Sequence, residues 1–445
     1  MRVRSIFMLI GILLISHLIT SSYSSPAKDQ KINVILIMAD DLGYETLGCN
    51  GGLSYQTPNL DQMAEEGVRF LNCYSQPLCT PSRVKIMTGK YNYRNYEGFG
   101  YLNPDERTFG NVMKDAGYAT AVVGKWQLNG VKKHGEKKGE QWPGWDDLDR
   151  PHTFGFDEYC LWHFTGSDSR FYNPRIEQNG KLLTGLEEAF GPDIFKNYVL
   201  DFIERKKDQP FFIYYPMVLT HSPFVPTPDS KASANKALRE KDDIKNFPDM
   251  MAYVDKIVGE IKNKVEKEGI ADRTLIMFTG DNGTKKNIYS EMLAGTYRGG
   301  KGTMLNAGTN VPLIAWWPGN IKEGAVFDEL IDFNDFYPTL ADLAGHSEAN
   351  DGQSFLPLLT GKPYHEKEAV FIHYDLRLGP GIHEYHDRFA RDKEYKLYED
   401  GRFFHVPTDE LEEDSIDTRL TWDVIQIKNM LQEMLDQAPE WQEEF

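Results

Sequence analysis

Short apolar runs rich in β-branched and aromatic residues recur along the chain, and most of them precede a polar or glycine-containing turn. Such runs predict buried strands, and the segments between them carry apolar residues at helical spacing. Regular alternation of strands and helices predicts an α/β fold with a mostly parallel central sheet that is covered by helices on both faces. The predicted strands are residues 33–38, 119–123, 211–215, 274–278 and 311–316, and the predicted helices are residues 60–67, 108–117, 194–206 and 250–268.

The pattern changes after about residue 346, where a connector of mixed polar and apolar residues leads to shorter β-rich runs. These runs predict a small antiparallel sheet, and an apolar stripe predicts a terminal helix over residues 422–435. We therefore expect two structural units, an α/β domain at 26–360 and a C-terminal α+β subdomain at 361–445. The runs assigned to the small sheet are residues 369–374, 388–390, 395–398 and 402–405.

The first 25 residues have the pattern of a cleaved export signal. Arg2 and Arg4 precede an apolar run at 6–19, and small residues follow at 21–25. The alternative is a membrane anchor, but the run is shorter than the ~20 apolar residues that a membrane-spanning helix needs. We therefore expect a signal peptide at 1–25 and a mature protein that is secreted or periplasmic and not attached to the membrane.

The composition is that of a large globular protein with a strong acidic excess. The 445 residues are 40% hydrophobic, and the formal net charge is −18. Because a nucleic-acid-binding surface needs a basic footprint, this charge argues against a nucleic acid partner. An anionic substrate would be repelled at long range, so its binding requires a local group of cations.

Polar residues follow four of the predicted strands at the points where those strands end. Ligands of open α/β sheets bind at the carboxyl ends of strands, so we expect these side chains to meet at one edge of the sheet. Taken singly, each of them is also typical of a cap or a turn. In chain order they are Asp40 with Asp41, Lys125, His221, and Asp281 with Asn282.

The acidic members of this set offer a possible metal site. Asp40, Asp41, Asp281 and Asn282 would supply three carboxylates and one amide oxygen. Ligands that are all oxygen suit a hard divalent cation rather than zinc. We predict Ca²⁺ as the first choice and Mg²⁺ as the second, with the cation neutralising the oxygens of a bound anion.

The segment from Cys79 to Arg83 places a thiol at the start of a predicted helix. Pro81 suits the first helical position, and Gly89 ends the helix. Unpaired amides and the helix dipole favour an anion at Cys79, which suits a nucleophile that attacks a charged ester. The alternative is a buried structural cysteine. The other cysteines, Cys49, Cys73 and Cys160, are too few for a disulfide framework, and a Cys49–Cys73 pair is left open.

The sequence Cys-Thr-Pro-Ser-Arg at 79–83 resembles the signature of type I sulfatases of the alkaline phosphatase superfamily, whose cysteine is oxidised to formylglycine by a maturation enzyme. The segments 39–43 and 279–283 resemble the metal motifs of the same family. The likeness runs in order from residue 33 to residue 398. It implies that the cation is held by Asp40, Asp41, Cys79 in its formylglycine form, Asp281 and Asn282.

The resemblance also implies roles for the cationic residues. Arg83 and Lys125 would surround Cys79 and the sulfate group, and Lys301 would bind sulfate and stabilise the leaving oxygen. His221 resembles the family histidine that meets the ester oxygen as a general acid. The alternatives are a surface ion pair for Lys125 and a solvent-facing loop position for His221.

In the family mechanism, the formylglycine aldehyde is hydrated and one of its hydroxyls attacks sulfur. The alcohol departs, and the second hydroxyl expels sulfate to restore the aldehyde. This chain departs from the family pattern at Gln127, where many sulfatases have histidine and where an amide cannot accept a proton usefully near neutral pH. Residues 304–312 also lack the acidic and arginine residues that often follow the lysine loop. We interpret both departures as divergence within the family.

Residues 151–181 are rich in aromatic and cationic side chains, which suit a sugar ring that carries sulfate. We predict substrate contacts from Gln127, His163 and Arg170, the alternative being a surface loop with ordinary core aromatics. The resemblance thus implies hydrolysis of sulfate monoesters on a sulfated carbohydrate or polysaccharide. The alternative functions are a phosphonate or phosphate ester hydrolase of the same superfamily and a catalytically inactive binder of sulfated glycans.

Overall fold

The computed structural model describes residues 31–130, 144–162, 168–379, 382–416 and 420–439. In this part of the chain the strands are β1 (Asn33–Ala39), β2 (Val68–Tyr74), β3 (Ala119–Lys125), β4 (Glu158–Trp162), β5 (Ile176–Gln178), β6 (Lys181–Leu182), β7 (Phe211–Pro216), β8 (Thr274–Gly280), β9 (Tyr289–Met292), β10 (Gly295–Arg298), β11 (Leu313–Trp316), β12 (Ala325–Asp332), β13 (Val370–Gly379), β14 (Ile382–Arg391), β15 (Tyr395–Tyr398) and β16 (Phe403–His405). The α-helices are α1 (Pro58–Glu66), α2 (Cys79–Thr88), α3 (Phe109–Asp115), α4 (Arg150–Thr153), α5 (Gly191–Lys206), α6 (Phe247–Lys267), α7 (Asn306–Thr309), α8 (Phe336–Ala344), α9 (Leu356–Leu359) and α10 (Trp422–Gln437).

Ten strands form a mixed central sheet in the order β12-β2-β11-β8-β1-β7-β3-β4-β5-β6. The middle strands β8, β1, β7, β3 and β4 are parallel, so their carboxyl ends share one edge. Strand β11 is antiparallel to both β2 and β8, and β5 is antiparallel to β4. The predicted α/β fold with a mostly parallel sheet is confirmed, although the predicted strand at 311–316 runs in the opposite direction to its neighbours.

Both faces of the central sheet are buried, as its continuous apolar strands predict. Successive side chains of β1 point to opposite faces, so Val34 and Leu36 pack into one core while Ile35 and Ile37 pack into the other. Helices α1, α5 and α6 cover the face of Ile35, and α2, α3 and α8 cover the face of Val34. The two cores therefore fix the carboxyl ends of the strands, and with them the polar residues that come directly after these strands.

A second, four-stranded antiparallel sheet follows the connector, in the order β13-β14-β15-β16. One of its faces packs Ile372 and Phe389 against Tyr74 and Leu330 of the central sheet. Its other face packs on α10 through the buried side chain of Leu431. The predicted small sheet and terminal helix are therefore confirmed.

Contacts group Lys31–Phe445 into one compact unit. The boundary between the units expected at 26–360 and 361–445 stays a prediction. The signal peptide expected at 1–25 lies outside the described residues. Within the described part of the chain, no helix has both the length and the apolar character needed to cross a bilayer.

Strands β2 and β12 were not predicted from the sequence. In β2, buried and half-buried positions follow one another without a regular period, because polar residues such as Arg69 and Asn72 interrupt the apolar ones. Strand β12 lies at the edge of the sheet, and several of its residues are exposed. Neither segment has the continuous apolar run that marks the central strands.

Candidate active site

The polar residues that follow the parallel strands meet at the carboxyl edge of the sheet, as predicted. Asp40 and Asp41 come directly after β1, Asp281 directly after β8, and Lys125 is the last residue of β3. The backbone N–H of Asp41 donates to Asp281 Oδ1 at 3.0 Å, which joins the turns after β1 and β8. The turn after β1 places Asp41 in the left-handed region at φ 61°.

Cys79 is the first residue of helix α2, whose ten residues are all buried. The sequence predicted that the helix would begin at Pro81, and this was wrong by two residues because Leu78 already occupies the extended capping position. Pro81 is still acceptable in the first turn, where backbone N–H groups have no helical partner. Gly89 ends the helix at φ 67°, as predicted. The thiol therefore lies at a helix amino terminus, where the dipole favours an anion.

Two buried carboxylates at the sheet edge are paired with cations from other elements. Lys125 Nζ lies 2.9 Å and 2.8 Å from the two oxygens of Asp40. Arg83 Nη2 lies 2.8 Å from Asp281 Oδ2, and its Nη1 donates to the carbonyl of Lys125 at 3.1 Å. The side chains of Arg83 and Lys125 are each only 1% exposed, which excludes the surface ion pair considered for Lys125.

The predicted metal ligands also lie together. One possible ligand atom from each of Asp40, Cys79 and Asp281 lies within 4.8 Å of the others. Asn282 Nδ2 donates to Asp41 Oδ1 at 2.9 Å, and the Oδ1 atom of Asn282 is buried with no hydrogen-bond partner among the described residues. A buried amide oxygen without a partner, placed beside three carboxylates, fits a hard divalent cation.

The electrostatics of the carboxylates support the same interpretation. Burial raises the pKa of Asp281 to about 7, and the neighbouring charge of Asp40 adds to that rise. Burial acts in the same direction at Asp40, but Lys125, His221 and other cations outweigh it and hold the pKa of Asp40 well below its usual range. Carboxylates that repel one another in a buried site would be stabilised by a divalent cation.

His221 lies at the open side of this cluster. Its Nδ1 lies 2.6 Å from the carbonyl of Ser222 and therefore carries a proton, while Nε2 lies 3.8 Å from Asp41 Oδ2. Burial lowers the pKa of His221 to about 4, although Asp41 and Asp40 oppose the shift. Lys301 Nζ reaches the same Asp41 Oδ2 at 2.5 Å. The solvent-facing loop position considered for His221 is not found.

The thiol of Cys79 donates to Gln127 Oε1 at 3.4 Å. Gln127 adopts φ 57°, an unusual conformation for a residue other than glycine, just after Lys125 at the end of β3. An amide is therefore held against the thiol where the family pattern has histidine. The four cysteines are free, so the Cys49–Cys73 pair is not formed.

Arg170 joins the site from the aromatic-rich segment. Its Nη1 lies 3.4 Å from Asp40 Oδ2, and its guanidinium lies 3.9 Å from the ring centroid of Trp162 at the end of β4. Trp162 Nε1 donates to the carbonyl of Asp168 at 2.8 Å, which fixes the ring. The structure thus brings the predicted substrate contact Arg170 to the acidic cluster. His163 lies outside the described residues, and its role stays a prediction.

The sequence did not indicate that the C-terminal sheet reaches this site. Burial raises the pKa of Tyr96 well above its usual value, and the nearby Tyr374 and Cys79 add to the rise. Burial and then Cys79 raise the pKa of Tyr374, which belongs to β13. The N–H of Phe99 donates to the carbonyl of Arg377 at 2.7 Å, which ties the loop of Tyr96 to β13. No motif marks these residues, because only the folded chain brings β13 close to α2.

Comparison with known proteins gives a consistent result. Residues 32–346 match the profile of a family described as Sulfatase, and residues 299–440 match one described as N-sulphoglucosamine sulphohydrolase, C-terminal. Human N-acetylgalactosamine-6-sulfatase is 32% identical over 363 residues, which cover 74% of this chain and 66% of that protein. The chain thus spans just under two thirds of the length of this relative.

Two further proteins are similar to a larger share of this chain. N-acetylgalactosamine-6-O-sulfatase of Bacteroides thetaiotaomicron is 29% identical over 413 residues, which cover 77% of this chain and 79% of that protein. The solved structure of Ps i-CgsB in complex with k-i-k-neocarrahexaose aligns with a TM-score of 0.72 and 25% identity, covering 93% of this chain and 94% of that one.

Proposed function

Because this chain belongs to the sulfatase family, we propose that it hydrolyses sulfate monoesters on a sulfated carbohydrate. The observation that carries the proposal is the position of Cys79. Its sulfur lies at the start of a buried helix, within 4.8 Å of ligand atoms of Asp40 and Asp281. A nucleophile, an acidic cluster and several cations therefore surround one small volume.

We propose that Asp40, Asp41, Asp281 and Asn282 hold Ca²⁺, with Mg²⁺ as the alternative, together with the residue derived from Cys79. The unpartnered Oδ1 of Asn282 and the carboxylate oxygens support a hard cation. Such a cation would supply positive charge that neutralises the sulfate oxygens beside position 79. Ca²⁺ is preferred because carboxylate and amide oxygens from separate loops suit its flexible coordination.

Cys79 is proposed to be oxidised to formylglycine by a maturation enzyme. In its hydrated form this group supplies an oxygen nucleophile. The sequence pattern at 1–25 is consistent with a secreted or periplasmic protein. Gln127 is proposed to orient the group by a hydrogen bond, in keeping with the 3.4 Å contact from Cys79 Sγ to Gln127 Oε1.

The cations of this site are proposed to bind the sulfate group. Lys125 and Arg170 approach from the side of Asp40, and Lys301 approaches from the side of Asp41. Fixed positive charges in a site with little water stabilise the charge that develops on the sulfate oxygens in the transition state. Arg83 pairs with Asp281 and donates to the carbonyl of Lys125, and it is proposed to orient this carboxylate beside the sulfate group.

His221 is proposed to donate a proton to the ester oxygen through Nε2. The ring must first take up that proton, because its neutral form holds its one proton on Nδ1. Its Nδ1 is committed to the carbonyl of Ser222, so Nε2 is the ring nitrogen that faces the acidic cluster. A general acid needs a hydrogen-bonding position beside the leaving oxygen, and Lys301 on the same carboxylate can stabilise the charge on that oxygen.

Two findings support a carbohydrate substrate. Two relatives are named as sulfatases that act on N-acetylgalactosamine, and a structural neighbour holds a neocarrahexaose. The guanidinium of Arg170 stacked on Trp162 adds an aromatic and cationic surface beside the sulfate position, which suits a sulfated sugar ring.

The test combines mass analysis of the peptide that contains Cys79 with a screen of sulfated oligosaccharides. We expect the peptide mass to show conversion of cysteine to formylglycine and the converted protein to release inorganic sulfate. Phosphonate and phosphate monoesters are assayed in parallel. Faster turnover of a phosphonate would support the alternative hydrolase. Binding of glycans by converted protein without sulfate release would support an inactive binder.

A further inference from the structure

The hairpin of β9 and β10 is an unusually basic part of an acidic protein. Residues 283–302 contain four basic residues and one acidic residue, in a chain whose formal net charge is −18. The hairpin lies between Asn282 and Lys301, so both of its ends connect to the proposed site. We call Lys285, Lys286, Tyr289 and Arg298 the basic hairpin.

A second feature of the basic hairpin is the set of contacts that its cations make. Among the described residues, no carboxylate lies within ion-pair distance of Lys285, Lys286 or Arg298. Some other exposed cations are neutralised, as in the pairs Lys256–Asp229 and Lys236–Glu188. Exposed lysines without an ion pair to the described residues also occur away from the site, for example Lys267. Unneutralised cations on a protein that is acidic overall are positioned to receive an external anion.

Backbone and side-chain contacts connect the basic hairpin to the site. The N–H of Lys301 donates to the carbonyl of Thr284 at 2.9 Å, and the N–H of Gly299 donates to the carbonyl of Ile288 at 3.0 Å. Lys285 Nζ lies 5.3 Å from the ring centroid of Phe224, three residues after His221. The hairpin is thus anchored beside Lys301, and Lys285 packs near the segment that carries His221.

The basic hairpin also presents an aromatic face. Tyr289 is 61% exposed, and the guanidinium carbon of Arg298 lies 5.9 Å from its ring centroid. Arg298 Nε donates to the carbonyl of Lys286 at 3.0 Å, which holds the guanidinium in this place. An exposed aromatic ring beside fixed cations is suited to a sugar ring that carries sulfate.

We infer that the basic hairpin binds the sulfated sugar residues next to the one that is hydrolysed. The substrate is therefore a sulfated oligosaccharide or polysaccharide rather than a single sulfated sugar. This inference rests on the proposed function, because it extends the same site. It differs from the predicted subsite at 151–181, which lies on the side of Arg170.

The test compares the wild-type protein with the triple variant Lys285→Ala/Lys286→Ala/Arg298→Ala. Binding of chondroitin 6-sulfate and ι-carrageenan hexasaccharides is measured by calorimetry, and turnover is measured on these probes and on 4-nitrocatechol sulfate. We expect Kd and KM for at least one hexasaccharide to rise about 10-fold, equal to about 1.4 kcal/mol. Turnover of 4-nitrocatechol sulfate should stay within about 2-fold, because this small ester does not reach the hairpin.

The matched control is Lys267→Ala/Lys322→Ala/Lys362→Ala, which removes three exposed lysines that form no ion pair with the described residues. We expect this control to bind the hexasaccharides as the wild type does. Added NaCl should weaken hexasaccharide binding more for the wild type than for the hairpin variant, because salt screens the removed charges. If the triple variant unfolds, Lys286→Ala and Tyr289→Ala replace it.

Unchanged hexasaccharide affinity in a folded hairpin variant would overturn the inference, and so would an equal loss in the control. Failure of the proposed function would give a different experimental result. In that case the converted wild-type protein releases no sulfate from any ester, whereas the calorimetric comparison of wild type and variant still reports on the hairpin.

Discussion

Helix α2 separates two buried groups of charged side chains. The site cluster is made of Asp40, Asp41 and Asp281 with their cations Lys125, Lys301 and Arg83. The support cluster is made of Lys85, Asp332 and Asp335. Arg83 and Lys85 are two residues apart on α2, so their side chains leave the helix about 200° apart, in nearly opposite directions.

The support cluster joins parts of the chain to one another. Lys85 Nζ lies 2.5 Å from Asp332 Oδ1, and both side chains are fully buried. Asp332 Oδ1 accepts from the N–H of Phe333 at 2.7 Å, and Asp335 accepts from the backbone of Asp332 and of Gln353. These carboxylates hold backbone amides, so their charges stabilise turns and the position of α2.

The site cluster is more open to solvent than the support cluster, where Lys367 beside Asp335 is 14% exposed. The side chains of His221, Lys301 and Arg170 are 22%, 18% and 14% exposed, and all three contact its carboxylates. Both clusters contain buried charges, so burial alone does not distinguish a functional cluster from a structural one. Access from solvent and convergence of cations on one volume do separate them, because a substrate must reach the charges that bind it.

The largest effect is expected from Cys79→Ala. Removal of the nucleophile should lower sulfate release by roughly 10⁴-fold or more, since the remaining residues can only bind the ester. Activity is measured on converted protein with a sulfated oligosaccharide. The control is Cys49→Ala, which removes a half-buried thiol outside the proposed site and should retain activity. Substantial turnover by Cys79→Ala would rule out position 79 as the nucleophile.

On the other side of α2, Lys85→Met should reduce the stability of the fold rather than the rate of sulfate release. It leaves the buried carboxylate of Asp332 without its cation, which costs about 3–5 kcal/mol. Denaturant unfolding measures this loss, and kcat per folded molecule should stay close to the wild-type value. Adding Asp332→Asn should recover part of the stability because the amide still accepts from Phe333. A large fall in kcat at unchanged stability would place Lys85 with the site cluster.

The change that corresponds to Lys85→Met in the site cluster is Arg83→Lys. It keeps the charge next to Asp281 but loses the fork that also donates to the carbonyl of Lys125. We expect kcat/KM to fall by about 10²–10³-fold, as when one preorganised charge is misplaced. Thermal unfolding should change much less than in Lys85→Met. Equal losses of stability in the two variants would remove the distinction between the clusters.

The smallest expected effect comes from adding the cation. If Ca²⁺ binds the folded site, a concentration of 100 times its Kd stabilises the protein by about 2.7 kcal/mol, and EDTA reverses the gain. Differential scanning fluorimetry measures the shift in Tm. Asp41→Asn should abolish the Ca²⁺-induced rise in Tm. Lys85→Met should lower Tm itself but leave the Ca²⁺-induced rise unchanged. A shift of the same size in Asp41→Asn would show that Ca²⁺ binds elsewhere.

Much of the fold could be predicted because the central strands are buried on both faces. The apolar runs that became β1, β3, β7 and β8 have no polar face to obscure their pattern. Strand β2 could not be predicted in this way, since Arg69 and Asn72 interrupt its apolar positions. The start of α2 was misplaced because the preference of proline for the first turn does not fix which residue of that turn it occupies.

The sequence by itself determined which polar residues follow the strand ends and which thiol starts helix α2. These are local features of the chain, namely strand ends, a thiol at a helix start and their order. Local features can be identified from the sequence without knowledge of the fold. Only the tertiary structure decided that Lys125 meets Asp40, that Arg170 stacks on Trp162, and that Arg83 and Lys85 serve different clusters. Such pairings join residues far apart in the chain, and they are set by the packing of the sheet and helices, which no short segment encodes.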